Sequence, residues 1–378
     1  MSKSPIKVLL VLPDFKKGGV QAEVMYPARL LSQKDVRFDA IVPSDVVGYY
    51  EEEFKQYGQI FRIPINRKPT KIQRFLSVFT NYSYVEKEMT KFFLSHKEYD
   101  AIHVRHHLFA APCVKAAKEA GIPVRIAHAS VNRPIGKYKN RLYITIYLKY
   151  CAHVIRKYAT HVFGVTKGAI EYMAGEGNGI VMKNPTIALD KFDHQLYPNK
   201  NTDGVIRLIM VGSYSSRKNQ KFTIAVLNEL CKLKPDSTLT LIGYPRSPKE
   251  TYLDEMKQMV IDYGLQDNVT FLPQDTNIPL AMSESTFLMM PSIQEGLPNV
   301  ALEAQAMGLP CFISTDVSHE CDCGLCHFIP LDNGPKYWAD VLIEYFEKHG
   351  FDKHYPNMSE WDNRKISEEY LEYWRGEK

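Results

Sequence analysis

The chain has 378 residues, 45% hydrophobic and 24% charged, with a net charge of only +4. That length exceeds one comfortable core, so two domains are expected; the composition is ordinary for a soluble globular protein. The charge is too small to argue for nucleic acid as a partner, no apolar run approaches the ~20 residues that cross a bilayer, and seven cysteines, an odd count, point to a reducing, cytoplasmic compartment rather than a disulfide framework.

The first apolar run, KVLLVLP (7–13), is too short for a signal-peptide core and reads as a buried strand. It leads into KKGGVQAE (16–23), where Gly18 and Gly19 open a helix. Paired glycines admit a close backbone or a sugar, although an ordinary β–α turn uses them too. The full fingerprint G-x-G-x-x-G is absent. Strand-length runs follow at 38–44, 60–64, 101–106, 124–130, 161–166 and 179–184. Arg105, His106 and His107 sit at one strand end, where position alone makes them acceptor-binding candidates. His128 sits at the end of another. Two stretches, 62–74 and 133–157, carry five and seven cations with no acid. The second interleaves them with tyrosine, leucine and isoleucine. Such segments suit an anionic membrane surface; a buried helix with a solvated basic edge has the same pattern.

The polar stretch YPNKNTDG (197–204) marks the boundary. A second series of runs lies at 206–213, 238–244, 268–273, 286–292, 310–315 and 327–331, with helical segments such as 220–233 and 250–263 between them. Alternating β and α segments mean parallel sheets wrapped by helices. In MVGSYSSRKNQ (210–220), a strand passes through Gly212 and Ser213 into a loop carrying Arg217 and Lys218, then a helix. Cations oppose the dipole at a helix start, so Lys218 reads as a ligand for a diphosphate; Arg217 is either its partner or a solvated cation.

Residues 291–315, PSIQEGLPNVALEAQAMGLPCFIST, hold the most informative pattern. Pro298 suits the first turn of a short helix over 298–307, and Gly308 then Pro310 stop it. The loop and helix start fall at the carboxyl end of a strand, where open α/β sheets bind ligands. The N–H groups of Gly296, Leu297 and Asn299 would face an anion there. Glu295 and Glu303 repel phosphates, so they should accept hydrogen bonds from hydroxyls. A nucleotide sugar offers both kinds of group. Farther on, Cys321, Cys323, Cys326 and His327 lie too close together for a usual zinc clip and read as ordinary thiols. Residues 359–374 form an amphipathic C-terminal helix.

EGLPNVALEAQAMGLP resembles the E-x7-E motif of retaining GT-B glycosyltransferases, family four in the usual classification. The resemblance covers nearly the whole chain and is strong from about Leu208 onward. It implies a fold of two Rossmann-like α/β domains facing each other across a cleft: 1–195 on the acceptor side, 196–355 for the nucleotide sugar, and 356–378 as a helix returning to the first domain. By position Glu295 lies at the donor sugar and Glu303 at the nucleotide ribose. The loop at 211–219 is similar to the family's V-G-R-x-x-x-x-K-N. Lys218 takes the place of the diphosphate lysine, whereas Ser213 stands where the family has arginine. RIAHASVN (125–132) resembles R-I-A-H-S-H-N, which implies His128 at the donor sugar. The glycine loop of Gly18 and Gly19 has a counterpart facing the cleft. KNP (183–185) retains only Asn184 of the family turn P-N-G-[IV]-D. No D-x-D occurs, so metal-independent chemistry without a cofactor is expected. The resemblance implies transfer from a nucleoside-diphosphate sugar, a UDP sugar foremost, to a glycan or lipid-linked acceptor with retention, in cell-surface polysaccharide synthesis. A nucleotide-sugar hydrolase or epimerase of the same fold, and a silent nucleotide-sugar sensor, are the alternatives.

Overall fold

The computed structural model describes residues 5–16, 18–43, 45–63, 77–105, 109–130, 142–198, 203–245 and 251–378. The chain divides into two compact units, Met1–Thr186 with Glu360–Lys378, and Ile187–Ser359.

The first unit runs β1 (Ile6–Val11), α1 (Gly19–Leu31), β2 (Val36–Val42), α2 (Glu51–Phe54), β3 (Ile60–Arg62), α3 (Ser77–Ser95), β4 (Ala101–Val104) and α4 (Ala110–Glu119). It continues with β5 (Val124–Ala129), α5 (Leu142–Tyr158), β6 (His161–Gly164), α6 (Lys167–Ala174) and β7 (Ile180–Val181). The second runs β8 (Arg207–Val211), α7 (Gln220–Cys231), β9 (Thr238–Ile242), α8 (Tyr252–Asp262), β10 (Val269–Leu272) and α9 (Ile278–Ser283). It continues with β11 (Phe287–Met290), α10 (Asn299–Ala306), β12 (Cys311–Ser314), β13 (Cys326–Ile329) and α11 (Gly334–His349). The last helix, α12 (Asn363–Trp374), belongs to the first unit.

Every apolar run named above overlaps a strand. All pairs are parallel, in the orders β3-β2-β1-β4-β5-β6-β7 and β10-β9-β8-β11-β12-β13. Strands covered by helices on both faces need apolar side chains on both, which is why these runs do not alternate. Each order reverses once, between β1 and β4 and between β8 and β11. Those reversals open a crevice at the carboxyl ends of the strands. Both units are therefore Rossmann-like.

The core of the first sheet takes Leu10, Phe38, Ile126 and Phe163 from the strands, with Ile366, Tyr370 and Trp374 from α12. The second core packs Met210, Leu241, Phe287 and Phe312 around Trp338. Two element ends differ from expectation. Pro298 is not in the first turn but precedes α10 in extended backbone, at φ −82° and ψ 101°. Its missing N–H costs nothing in either place. The C-terminal segment is not one helix: a single tight turn over Ser359–Trp361 comes first. Then the Asp362 side chain accepts from the N–H of Arg364 and starts α12 afresh.

Candidate functional site

The second unit's crevice is built by the loops that leave β8 and β11. At the end of β8, Gly212 has φ +150°. Its carbonyl oxygen would lie 2.1 Å from a Cβ on Gly243, so the β8 and β9 chains run too close there for a larger residue. The loop onward is folded by Gln220, whose buried carboxamide donates to the Ser213 carbonyl at 3.0 Å and accepts from the Ser215 N–H at 3.3 Å. Arg217 and Lys218 follow. Across the crevice, the N–H of Ile293 donates to the Arg217 carbonyl at 2.9 Å.

This folding brings Lys218 and Glu295 together. Lys218 Nζ lies 2.8 Å from Glu295 Oε1, and the two side chains are only 14% and 11% exposed. The approach misses the hydrogen-bond direction, and Oε1 has no hydrogen-bond partner. Four more buried atoms of these loops and the start of α10 lack partners: Ser215 Oγ, Arg217 Nε, Ser292 Oγ and Asn299 Oδ1. Buried polar atoms are nearly always paired, so these four mark a place built to receive a polar ligand. The N–H groups of Gly296 and Leu297 donate to no backbone acceptor among the described residues, and Asn299 opens α10. Cation, free amides and helix start together suit a phosphate.

Glu303 lies one turn after Asn299 on the same helix face. It keeps some surface exposure, yet its carboxyl is set deep. Burial pushes its pKa up to about 7, with the charge of Lys191 pulling the other way. A half-protonated carboxyl at neutral pH is unusual and typical of functional sites.

In the first unit Gly18 is the N-cap of α1 and Gly19 its first residue. Asp14, on the loop before them, accepts from Gln21 Nε2 at 2.7 Å. Arg105 does not face an open edge. It is 4% exposed, ion-paired with Glu23 of α1, and 3.4 Å from Asn184 Oδ1. The reason is register: extending β4 past Val104 sets Arg105 beside His128, on the face that α1 covers. The ion pair joins the end of β4 to α1. His106 and His107 lie outside the described residues.

His128 is enclosed, 1% exposed, beneath Tyr370 of α12. Trp374 Nε1 donates to His103 Nδ1 at 3.3 Å. His103 must then carry its proton on Nε2, which faces His128 Nδ1 at 3.0 Å. That leaves the His128 proton on Nε2, which has no partner. Burial holds both rings neutral: His103 falls to about 3, and His128 well below its usual range through burial, with Arg105 and His103 adding to it.

Of the cysteine group, Cys326 opens β13 opposite Cys311 of β12, and Cys321 closes a short turn. Cys326 and burial push the Cys321 thiol up, and Cys311 and burial push that of Cys326 up against the opposing pull of Cys321, which makes both poor nucleophiles. Among the described residues, no three His, Cys, Asp or Glu side chains are gathered for a metal ion. Sequence reasoning assigned no role to Asn219, Gln220, Glu23 or His103. Asn219 stands at the last position of the family pattern V-G-R-x-x-x-x-K-N, which could have flagged it, and Gln220 follows it directly. Glu23 and Arg105 are 82 residues apart, with no local signal.

Residues 193–322 match the glycosyl transferases group 1 family. EpsF of Bacillus subtilis (strain 168), which bears a glycosyltransferase name, is 27% identical over 361 residues, 90% of this chain and 88% of that one. An Escherichia coli protein named UDP-Gal:alpha-D-GlcNAc-diphosphoundecaprenol alpha-1,3-galactosyltransferase is 29% identical over 114 residues, 30% of this chain and 28% of its own. Among solved structures, Anabaena HepE in complex with UDP and glucose superposes with a TM-score of 0.71 at 16% identity, over 97% of this chain and 98% of that one. At that identity the likeness speaks for the fold alone. The motif, the fold and these relatives agree: residues 193–322 carry a group 1 glycosyltransferase domain, in a chain of the GT-B fold.

Proposed function

We propose that this glycosyltransferase takes its sugar from a nucleoside diphosphate, a UDP sugar, and passes it with retention to a saccharide or lipid-linked acceptor. The observation that carries the reading is the Lys218–Glu295 pair, set among unpartnered polar atoms at the crevice between β8 and β11. As the glycosidic bond to the diphosphate breaks, negative charge grows on the leaving oxygens. Lys218 Nζ and the amides of Gly296 and Leu297 offset it. Glu295 accepts from a sugar hydroxyl, and Glu303 from the ribose hydroxyls. The acceptor hydroxyl gives its proton to the departing phosphate, so neither a protein base nor a covalent nucleophile is assigned. Lys218 supplies cationic charge that a metal ion would otherwise bring. HepE is described with UDP and glucose, and the E. coli relative's name specifies a UDP sugar and a lipid diphosphate acceptor; both support the donor class.

A thermal-shift panel of UDP, GDP and ADP sugars tests this. UDP sugars should raise the melting temperature most, because ligands of the native state stabilise by mass action. The best donor should then give transfer product with acceptor glycan; free sugar or an epimer as sole product would favour the hydrolase or epimerase reading. No shift with any nucleotide sugar would remove the proposal.

The basic segment 133–157 adds a second element. Its first part, 133–141, lies outside the described residues, as does 64–74 of the other run; Arg62 of that run is paired with Glu51 at 2.6 Å. The described remainder is α5, which has no acid. Ile146 and Tyr150 are 53% and 43% exposed, on a face shared with exposed Lys149, His153 and Lys157. Among the described residues, no helix is long and apolar enough to cross a membrane. Such a face suits an anionic membrane surface, each nearby cation contributing about 1 kcal/mol. Sedimentation with liposomes should require anionic lipid, fall with salt, and weaken when Lys137, Lys139, Arg141 and Lys149 become Gln. Equal binding to neutral liposomes would exclude it.

A further inference from the structure

Asn219 joins the loops that carry Lys218 and Glu295. It sits just before α7 in left-handed backbone, φ 62° and ψ 41°. Among the described residues other than glycine, only Asp35 shares a positive φ. That region disfavours residues with a Cβ, asparagine least among them. The Asn219 side chain donates from Nδ2 to the Pro291 carbonyl at 3.1 Å. Two residues back, the Arg217 carbonyl accepts from Ile293. Lys218 is thus flanked in sequence by two crosslinks from its own loop to the loop of Glu295. The sheet offers little help here. β8 and β11 pair at only two positions, Leu208 with Phe287 and Ile209 with Leu288, and the loops lie beyond them.

We propose that Asn219 is a positioning residue. Its left-handed turn aims Lys218 across the crevice, and its bond to Pro291 fixes the distance between the Lys218 and Glu295 loops. A lysine ammonium rides on a long, flexible stem, so the placement of its backbone decides whether the charge meets a diphosphate. This inference rests on the donor-site reading above.

The test is a double-mutant cycle read by calorimetry, with UDP, GDP and ADP titrated and the tightest kept as probe. Asn219→Gly retains the left-handed turn at no steric cost and removes the crosslink. Asn219→Asp places a carboxylate against the Pro291 carbonyl. Each should weaken the probe about tenfold, the worth of one hydrogen bond to a charged site. On a Lys218→Ala background the same changes should add less than about threefold, because residues acting through one group are not additive. If Asn219→Gly unfolds, Asn219→Asp carries the cycle. Wild-type affinity in either folded variant overturns the proposal, as does an undiminished loss on top of Lys218→Ala. If Lys218→Ala itself binds normally, or wild-type protein binds none of the three, the donor reading falls and takes this inference with it.

Discussion

Replacing Lys218 by alanine is expected to lower kcat about 10²–10³-fold, the range seen when one preorganised donor to a developing anion is removed. Arg217→Ala should cost less. The backbone carbonyl of Arg217 is held by Ile293, but its guanidinium Nε has no partner, and the cation paired with Glu295 is Lys218. Ser213, standing at the family's arginine position, brings no charge of its own. Loss of Lys218 also strands the Glu295 carboxylate in a largely enclosed site, so part of the effect is an unpaired buried charge. Lys218→Ala combined with Glu295→Gln separates the two causes: the double variant should regain stability and none of the turnover. Steady-state kinetics on the three variants decide the ranking. A larger loss from Arg217→Ala would mean that the diphosphate cation has moved one residue along the loop.

Removing the Glu303 side chain should weaken free nucleotide as much as nucleotide sugar, because the ribose is common to both. A lost hydrogen bond to a charged group costs about 1.5–3 kcal/mol, or roughly 10- to 150-fold in affinity. The raised pKa of Glu303, about 7, adds a pH signature. Its ionised form is the better acceptor for ribose hydroxyls. Affinity for UDP-glucose, whose diphosphate does not titrate here, should rise with pH and gain up to about tenfold between pH 6 and 8. Glu303→Gln should flatten that profile. The folding effect has the opposite sign. A carboxyl whose pKa is raised on folding carries no penalty below its unfolded value near 4.5, and stability erodes as pH climbs from there to about 7. At pH 8 Glu303→Gln should therefore melt above the wild type while binding nucleotide more weakly. Unchanged nucleotide affinity in folded Glu303→Ala would refute the ribose role.

The strands could be read from residue order because both sheets are buried on both faces, and an apolar run of five or six residues has few other uses. The crevice residues were legible for a related reason. Gly212, Lys218, Glu295 and Glu303 cluster around strand ends and helix starts, where local sequence already specifies the turn. What escaped depends on register and long-range pairing. That Arg105 meets Glu23 follows from how β4 aligns with β5 and which face α1 covers. The hydrogen bond from His103 to His128 needs the same alignment. Asp362, an aspartate before an amphipathic run, was a readable helix start passed over because the apolar pattern extends across it to Trp361.

The first unit is not contiguous in the chain. Its sheet is complete by Val181, yet Ile366, Tyr370 and Trp374 of its core come from the final residues. On the ribosome, where chains emerge at about 5–20 residues per second, the half made first must wait. Ile187–Ser359 carries its whole core in one uninterrupted stretch, and so can finish folding while its predecessor still has an open flank. Until Trp374 arrives, His103 lacks both the donor to its Nδ1 and the ring that packs on it. The half synthesised first is thus the last to close, and a chain cut short after Ser359 would release an intact second unit joined to an unsealed first.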